Sequence, residues 1–198
     1  DTFTVTGLPA GYTAVPVITG TITNAGTEAN VVTSYAIKLG YEDVTAQFSN
    51  VTTKDGTLTV TKRAVTMTSA TDEKAYDGVP LTNHTVTVTG DGFVTGEGAT
   101  YNVTGSQLLA GSSDNTFTYE LNSGTLAGNY VIETVFGKLK VTKNTAAIVI
   151  TADDGTWMYD GQPHSKDRFT VTGLPAGYTA VPVIKGTITN AGTEANVV

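Results

Sequence analysis

The sequence has no cysteine, few aromatic residues and few charged ones. Each shortage limits the kinds of stabilisation and binding site that the protein can have. With no Cys among 198 residues, disulfides cannot hold the fold together, although small secreted domains commonly depend on them. Zinc sites built from thiolates are excluded for the same reason. Aromatic side chains make up 8% of the chain and charged ones 15%. Thin hydrophobic cores and a weakly charged surface are therefore expected.

Basic side chains are the scarcer of the two charged classes. Lys and Arg number 11 against 18 Asp and Glu, which gives a formal net charge of −7. A negative surface repels phosphate backbones and anionic headgroups, so neither nucleic acid nor membrane insertion is expected. No segment approaches the roughly 20 apolar residues that span a bilayer, and the N-terminus lacks the pattern of a signal peptide. Any targeting or anchoring segment is expected outside these residues.

Threonine and glycine are abundant instead. Thr is the commonest residue and Gly occurs 22 times, whereas Leu, Glu and Lys, which fill helices, are scarce. β-Branched side chains pack well on a pleated sheet and lose rotamer freedom in a helix. The composition therefore predicts an all-β protein.

A long internal repeat governs the organisation of the chain. Residues 1–32 recur at 167–198, with only Thr2 replaced by Arg168 and Thr19 by Lys185. Residue 167 occupies the position of residue 1, an offset of 166 residues. Such near-identity is too extensive for a compositional accident, so the sequence predicts a tandem array.

A second, fainter repeat lies inside that period. The motif Tyr-Asp-Gly-x-Pro occurs at 76–80 and 159–163, and Gly-x-Leu-x-Val-Thr-Lys occurs at 56–62 and 137–143. Two related repeats, named repeat A and repeat B, therefore alternate, each of about 80 to 85 residues, as in small β-sandwich domains. The predicted organisation is the C-terminal part of repeat A at 1–62, a complete repeat B at 63–143, and the N-terminal part of the next repeat A at 144–198.

Short alternating segments predict the strands and the core. In residues 85–89 the valines Val86 and Val88 are expected inside and the threonines outside, because successive strand side chains point to opposite faces. The predicted strands of repeat B are 64–69, 85–89, 100–104, 116–121, 130–134 and 139–143, with a short one near 74–76. The predicted core residues are Val65, Met67, Phe117 and Tyr119 or their alternate partners, Tyr130, Ile132, Leu139 and Val141 in repeat B, and Leu58, Val60, Ile148, Ile150, Trp157, Phe169 and Val171 in repeat A.

The predicted fold class is all-β, with tandem Ig-like β-sandwich repeats arranged end to end. About seven short strands per repeat favour a two-sheet sandwich over a barrel. The junctions near residues 62 and 143 have no Gly/Ser-rich or Pro-rich spacer, so a rod is expected. Each partial repeat A is expected to be completed by flanking sequence, with strand exchange between molecules as the alternative.

These motifs resemble the YDG and MBG type Ig-like repeats of large bacterial cell-surface adhesins. The similarity is carried by Tyr-Asp-Gly-x-Pro, Thr-Val-Thr-Gly, Ala-Gly-x-x-x-Asn and Gly-x-Leu-x-Val-Thr-Lys, and it covers both repeats. The resemblance implies an extracellular spacer on the bacterial cell surface, with neighbouring repeats as its partners. A host glycan or protein would be bound through a domain outside this sequence. The family has no catalytic residues to transfer.

The sequence offers no catalytic residues, no cofactor site and no metal site, so an enzyme is not expected. Asp77 and Asp160 lie in equivalent turns where calcium is one interpretation, but Asp-Gly before Pro favours a turn in which Asp bonds backbone amides. The only histidines, His84 and His164, occupy different positions in the two repeats. No Ser-His-Asp order or phosphate-binding loop is present.

Two further hypotheses concern recurring residues. Lys62 and Lys143 close the two repeats, and Asn30 and Asn115 recur in their middle, so an internal Lys–Asn isopeptide bond is one interpretation; a solvated edge lysine is the other.

The leading functional prediction is a structural stalk. The alternative is that each repeat is a weak glycan- or protein-binding module that acts by multivalency. The candidate contact residues are then Tyr12 and Tyr178, in the repeated Leu-Pro-Ala-Gly-Tyr loop.

Overall fold

A computed structural model describes residues 2–198 and confirms the all-β prediction. Apart from two three-residue 3-10 turns, every regular element in this part of the chain is a strand. The strands are β1 (Tyr12–Thr19), β2 (Gly26–Leu39), β3 (Glu42–Asp43), β4 (Gly56–Val60), β5 (Arg63–Ser69), β6 (Asp72–Ala75), β7 (Val86–Gly90), β8 (Ala99–Val103), β9 (Gly111–Asp114), β10 (Phe117–Leu121), β11 (Tyr130–Val135), β12 (Lys138–Thr142), β13 (Val149–Ala152) and β14 (Phe169–Thr172).

The strands are distributed over two compact units. The first unit comprises the residues up to Thr71 together with Asn83–Gly105 and Asp114–Lys138. The second comprises Asp72–Thr82, Ser106–Ser113 and Leu139–Val198. These units do not follow the predicted repeat boundaries, which stay a prediction.

Three sheets make up the first unit. The long strand β2 pairs with β4 through its first residues and with β1 and β3 through the rest, all antiparallel. A second sheet has the order β11-β5-β7, in which β5 runs parallel to β11 and antiparallel to β7. The third consists of β8 and β10. Several short sheets of this kind are compatible with β-sandwich packing.

The core of the first unit confirms the alternation read from the sequence. Val86 lies half-buried against this core, and Thr85 and Thr87 face solvent, as predicted. Val88 is 38% exposed, so the prediction that it is buried was wrong. It lies in β7, which is an edge strand of its sheet. Tyr119 and Ile132 are partly buried against the same cluster. The buried residues are Val65, Met67, Val103, Phe117 and Tyr130.

The second unit contains a three-stranded sheet with the order β6-β12-β9, in which β6 and β12 are parallel. The central strand β12 supplies Leu139 and Val141, which are fully buried as predicted. They pack with Leu81, and Tyr76 covers them from one side. Strands β13 and β14 form a separate antiparallel pair.

The predicted core of repeat A is not buried. Trp157 is 40% exposed, and Ile148, Ile150 and Phe169 also face solvent, which corrects the prediction for these four side chains. Val171, Leu58 and Val60 are half-buried. The physical reason is the lack of a covering layer: β13 and β14 pair only with each other, and the segment around Trp157 joins no sheet.

The two Tyr-Asp-Gly-x-Pro segments form the predicted turns. The carboxylate of Asp77 accepts from the Val79 amide at 3.0 Å, and that of Asp160 accepts from the Gln162 amide at 2.9 Å. The glycine that follows the aspartate has φ of +82° in the first turn and +77° in the second. Residues with a Cβ avoid this region. This confirms a structural role for both aspartates.

Candidate functional site

A buried asparagine organises the contacts between strands in the first unit. Asn115 is fully buried just before β10. Its side-chain amide donates to the backbone carbonyls of Ala70, at 3.0 Å, and Asn83, at 2.8 Å. Its own backbone carbonyl accepts from Ser69 Oγ at 2.5 Å, and its N–H donates to the Gly137 carbonyl at 2.8 Å. One residue therefore ties four chain segments together.

The same arrangement recurs in the second unit. The amide of Asn196 donates to the carbonyls of Asp153, at 3.0 Å, and Lys166, at 2.9 Å. Asp153 follows Ala70 by 83 positions, and Lys166 follows Asn83 by the same number. Asn196 follows Asn115 by 81 positions. Two isolated β-bridges correspond in the same way. Leu81 pairs with Gln107, and His164 pairs with Ile188 at the equivalent positions. We call this contact of one Asn amide with two backbone carbonyls the asparagine tie.

A concavity of the second unit lies beside Trp157. It is a groove of about 560 Å³ between residues 154–159 and residues 186–196, with residues 164–166 also in its wall. We call it the Trp157 groove. The Asn196 tie lies beside it, since Asn196 and Lys166 line the groove and Asp153 directly precedes its lining residue Asp154.

The indole of Trp157 lies flat against an imidazole. The rings of Trp157 and His164 stack with centroids 5.1 Å apart and an interplanar angle of 12°. His164 Nε2 lies 2.9 Å from Asp160 Oδ1. The Gln162 amide, and after it His164, holds the pKa of Asp160 below the usual value of an aspartate. This trio joins the turn to the groove, and the sequence did not predict it because its members come from a loop.

The predicted contact residue Tyr178 is 41% exposed, but it is not a free aromatic platform. Its hydroxyl lies within hydrogen-bonding reach of the Tyr76 hydroxyl, and the two rings meet edge to face with centroids 6.0 Å apart. This hydrogen bond and, after it, burial raise the pKa of Tyr178. The Tyr76 ring that it touches belongs to the Tyr-Asp-Gly-x-Pro turn.

The other predicted contact residue, Tyr12, is half-buried at the start of β1. Its ring meets Phe48 edge to face, with centroids 5.5 Å apart. Tyr12 and Tyr178 therefore differ in their surroundings although their loops have the same sequence. Their role as ligand contacts stays a prediction.

The isopeptide hypothesis receives no geometric support. Lys62 and Lys143 are exposed, and the amide of Asn115 is already engaged by two backbone carbonyls. Within residues 2–198 no group of three or more His, Asp or Glu side chains is placed to hold a metal ion. No helix in this part of the chain is both long and apolar enough to cross a membrane.

The interactions at the turns, the asparagine ties and the Trp157 groove are side-chain packing and hydrogen bonds. The side chains that carry the turns and ties bond mainly to backbone groups, which fixes their orientation. Comparison of the chain with protein-family models, with curated proteins and with solved structures gave no match.

Proposed function

We propose that the chain consists of structural stalk repeats of a bacterial surface adhesin or fibre, which extend a binding domain away from the cell. The observation that carries the proposal is the 166-residue period, in which 30 of 32 residues are retained between the two copies. A spacer gains length with each copied period, because each repeat stacks on its neighbours.

The asparagine tie supports a load-resisting role. Asn115 and Asn196 each clamp two backbone segments that are far apart in sequence. Contacts of this kind must break before the segments separate. The repeats are proposed to be Ig-like sandwiches placed end to end, as the resemblance to YDG and MBG type repeats implies.

The placement outside the cell and the absence of catalysis are part of the same proposal. A chain without cysteine does not depend on an oxidising compartment or on disulfide exchange. Asp77, Asp160 and the tie asparagines each hydrogen-bond to backbone groups, and such contacts suit a structural role.

Length variants test the proposal. Small-angle scattering on proteins with one, two and three copies of the 166-residue period should give a maximum dimension that rises in proportion to the number of copies. A compact arrangement would give a much slower rise, as for a single globular domain whose radius grows with about the 0.38 power of length, and would contradict a stalk.

A further inference from the structure

The predicted repeats A and B are joined by a short stretch of chain between β4 and β5. Strand β4 ends at Val60 and β5 begins at Arg63, so two residues lie between them. Strand β4 pairs with β2 in one sheet, and β5 pairs with β11 in another. By the predicted boundaries the first sheet belongs to repeat A and the second to repeat B. A link of this kind acts as a hinge by itself, because a few φ and ψ angles can absorb a large change in direction.

A second connection between these two sheets runs through an asparagine side chain. Asn129 Oδ1 accepts from the backbone N–H of Ala25 at 2.8 Å, and Asn129 Nδ2 donates to Asn24 Oδ1 at 3.0 Å. Asn129 and Ala25 are half-buried, whereas Asn24 is exposed. One side chain of repeat B therefore bonds to two successive residues of repeat A. We call this pair of hydrogen bonds the Asn129 latch.

The Asn129 latch and the chain link together close a ring. Ala25 directly precedes β2, and Asn129 directly precedes β11. The first residue of β2 pairs with the last residue of β4, and the first residue of β11 pairs with the first residue of β5. The latch therefore joins the two sheets one strand spacing away from the link, a distance of roughly 4.8 Å. Bending at the link pulls the latch atoms apart.

The latch needs one partner from each kind of repeat. Repeat B has Leu109 at the position of Asn24, in segments that align without a gap, and a leucine side chain has no donor or acceptor. Repeat A has Gln47 at the position of Asn129, since each is the last residue of a three-residue 3-10 turn and an aromatic residue follows. The glutamine is longer by one methylene group. The pair of hydrogen bonds seen here therefore belongs to a repeat A that is followed by a repeat B.

From these relationships we infer that Asn129 locks a repeat B to the repeat A before it, and that the surface it fits is the Asn24–Ala25 corner of that repeat A. The locked junction cannot bend at residues 61–62 without breaking two hydrogen bonds. This inference rests on the proposed function, because it treats the two sheets as parts of successive repeats of the stalk. It assigns to Asn129 and Asn24 a stiffness that repetition alone does not supply.

Distances between two spin labels test the inference on the full chain. Because the sequence contains no cysteine, Thr57→Cys in β4 and Thr118→Cys in β10 place the labels at two defined and exposed positions, one in each repeat. The chain with natural Asn129 should give a narrow distance distribution by double electron–electron resonance. Asn129→Ala should broaden it. The Ala25 amide should then exchange with solvent about two- to twelvefold faster, the factor that corresponds to one net hydrogen bond.

Two further variants are matched to this one. Asn24→Leu removes the exposed half of the latch and introduces the side chain that repeat B has at this position, so it should broaden the distribution less than Asn129→Ala does. Asn122→Ala changes an exposed asparagine shortly before the same 3-10 turn. Its backbone hydrogen bonds with Gly98 and Thr125 are kept by an alanine, so the distribution should stay narrow.

The inference is overturned if Asn129→Ala and Asn24→Leu both keep the distance distribution of the natural chain. It is also overturned if Asn122→Ala broadens the distribution as much as Asn129→Ala. The scattering series on one, two and three periods is a separate readout. Proportional growth in that series with an unchanged spin-label distribution in the variants would reject the latch and leave the stalk proposal standing. A compact series with broadening in the variants would do the reverse.

Discussion

Asn115 donates a hydrogen bond from its side-chain amide to the backbone carbonyl of Asn83 over 2.8 Å. The same amide reaches Ala70 on a second segment at 3.0 Å. Because Asn115 is fully buried, water cannot replace these bonds when the side chain is shortened.

Asn115→Ala is expected to lower the free energy of unfolding by about 2–6 kcal/mol, since two partly buried carbonyls lose their donor at about 1–3 kcal/mol each. Urea denaturation followed by circular dichroism measures the change. The control is Asn102→Ala in the exposed part of β8, which should change stability by less than about 0.5 kcal/mol. Equal effects at both positions would show that the asparagine tie does not stabilise the protein.

The buried leucine of β12 gives a second test. Leu139 is inaccessible to solvent and packs with Val141 and Leu81. Leu139→Ala should destabilise the protein by about 2–5 kcal/mol through lost burial and the cavity left behind. Leu109→Ala serves as the control because Leu109 is largely exposed. A loss below about 1 kcal/mol at Leu139 would contradict the packing of this sheet.

A pair of glycines separates backbone strain from steric overlap. Gly90 and Gly92 both have positive φ, +82° and +67°. A β-carbon on Gly90 would lie 2.7 Å from the Ala64 carbonyl oxygen, whereas one on Gly92 would meet no atom within 4 Å. Gly92→Ala should cost about 1–2 kcal/mol, the penalty of a left-handed backbone, and Gly90→Ala clearly more. Thermal unfolding of the two variants compares them, and the reverse order would contradict the β5–β7 geometry.

The Asp77 turn predicts a pH effect. Lys74, and after it the Val79 amide, holds the pKa of Asp77 below the usual aspartate value. Because the folded pKa is lowered, the stabilisation is present above the pKa of the unfolded chain and is lost as the pH falls through the folded pKa. Lys74→Ala should raise the pKa of Asp77 and reduce this loss in acid.

Carboxyl carbon NMR titration measures this change directly. Asp160 is the internal control, because its pKa is lowered by the Gln162 amide and His164 and not by a lysine. The Lys74→Ala variant should leave the Asp160 titration in place. An unchanged Asp77 midpoint would refute the Lys74–Asp77 ion pair, whose atoms lie 2.8 Å apart.

Most strands of repeat B were predictable because their sequences alternate. Residues 100–104 and 116–121 were expected as strands, and β8 and β10 match them within one residue. Strand β9 was missed, since Gly111–Asp114 has the composition of a turn and becomes a strand through its pairing with β12. Sequence alternation does not contain that information.

Side-chain environment was harder to predict than strand position. The size and apolarity of Trp157 predicted a buried residue, but burial depends on a neighbouring strand, which residues 155–158 lack. The asparagine tie was also missed, although Asn recurs at 30, 115 and 196 in the Ala-Gly-x-x-x-Asn motif. Its hydrogen bonds go to backbone carbonyls, and the sequence does not reveal which ones.

The central claim is that these repeats extend another domain and do not bind ligands themselves. The most direct test is an array of glycans and host matrix proteins probed with the full chain, with Tyr12→Ala and Tyr178→Ala variants in parallel. The account predicts no saturable binding to any spot. Saturable binding to one ligand class that is lost in either tyrosine variant would contradict it and establish the repeat as a binding module.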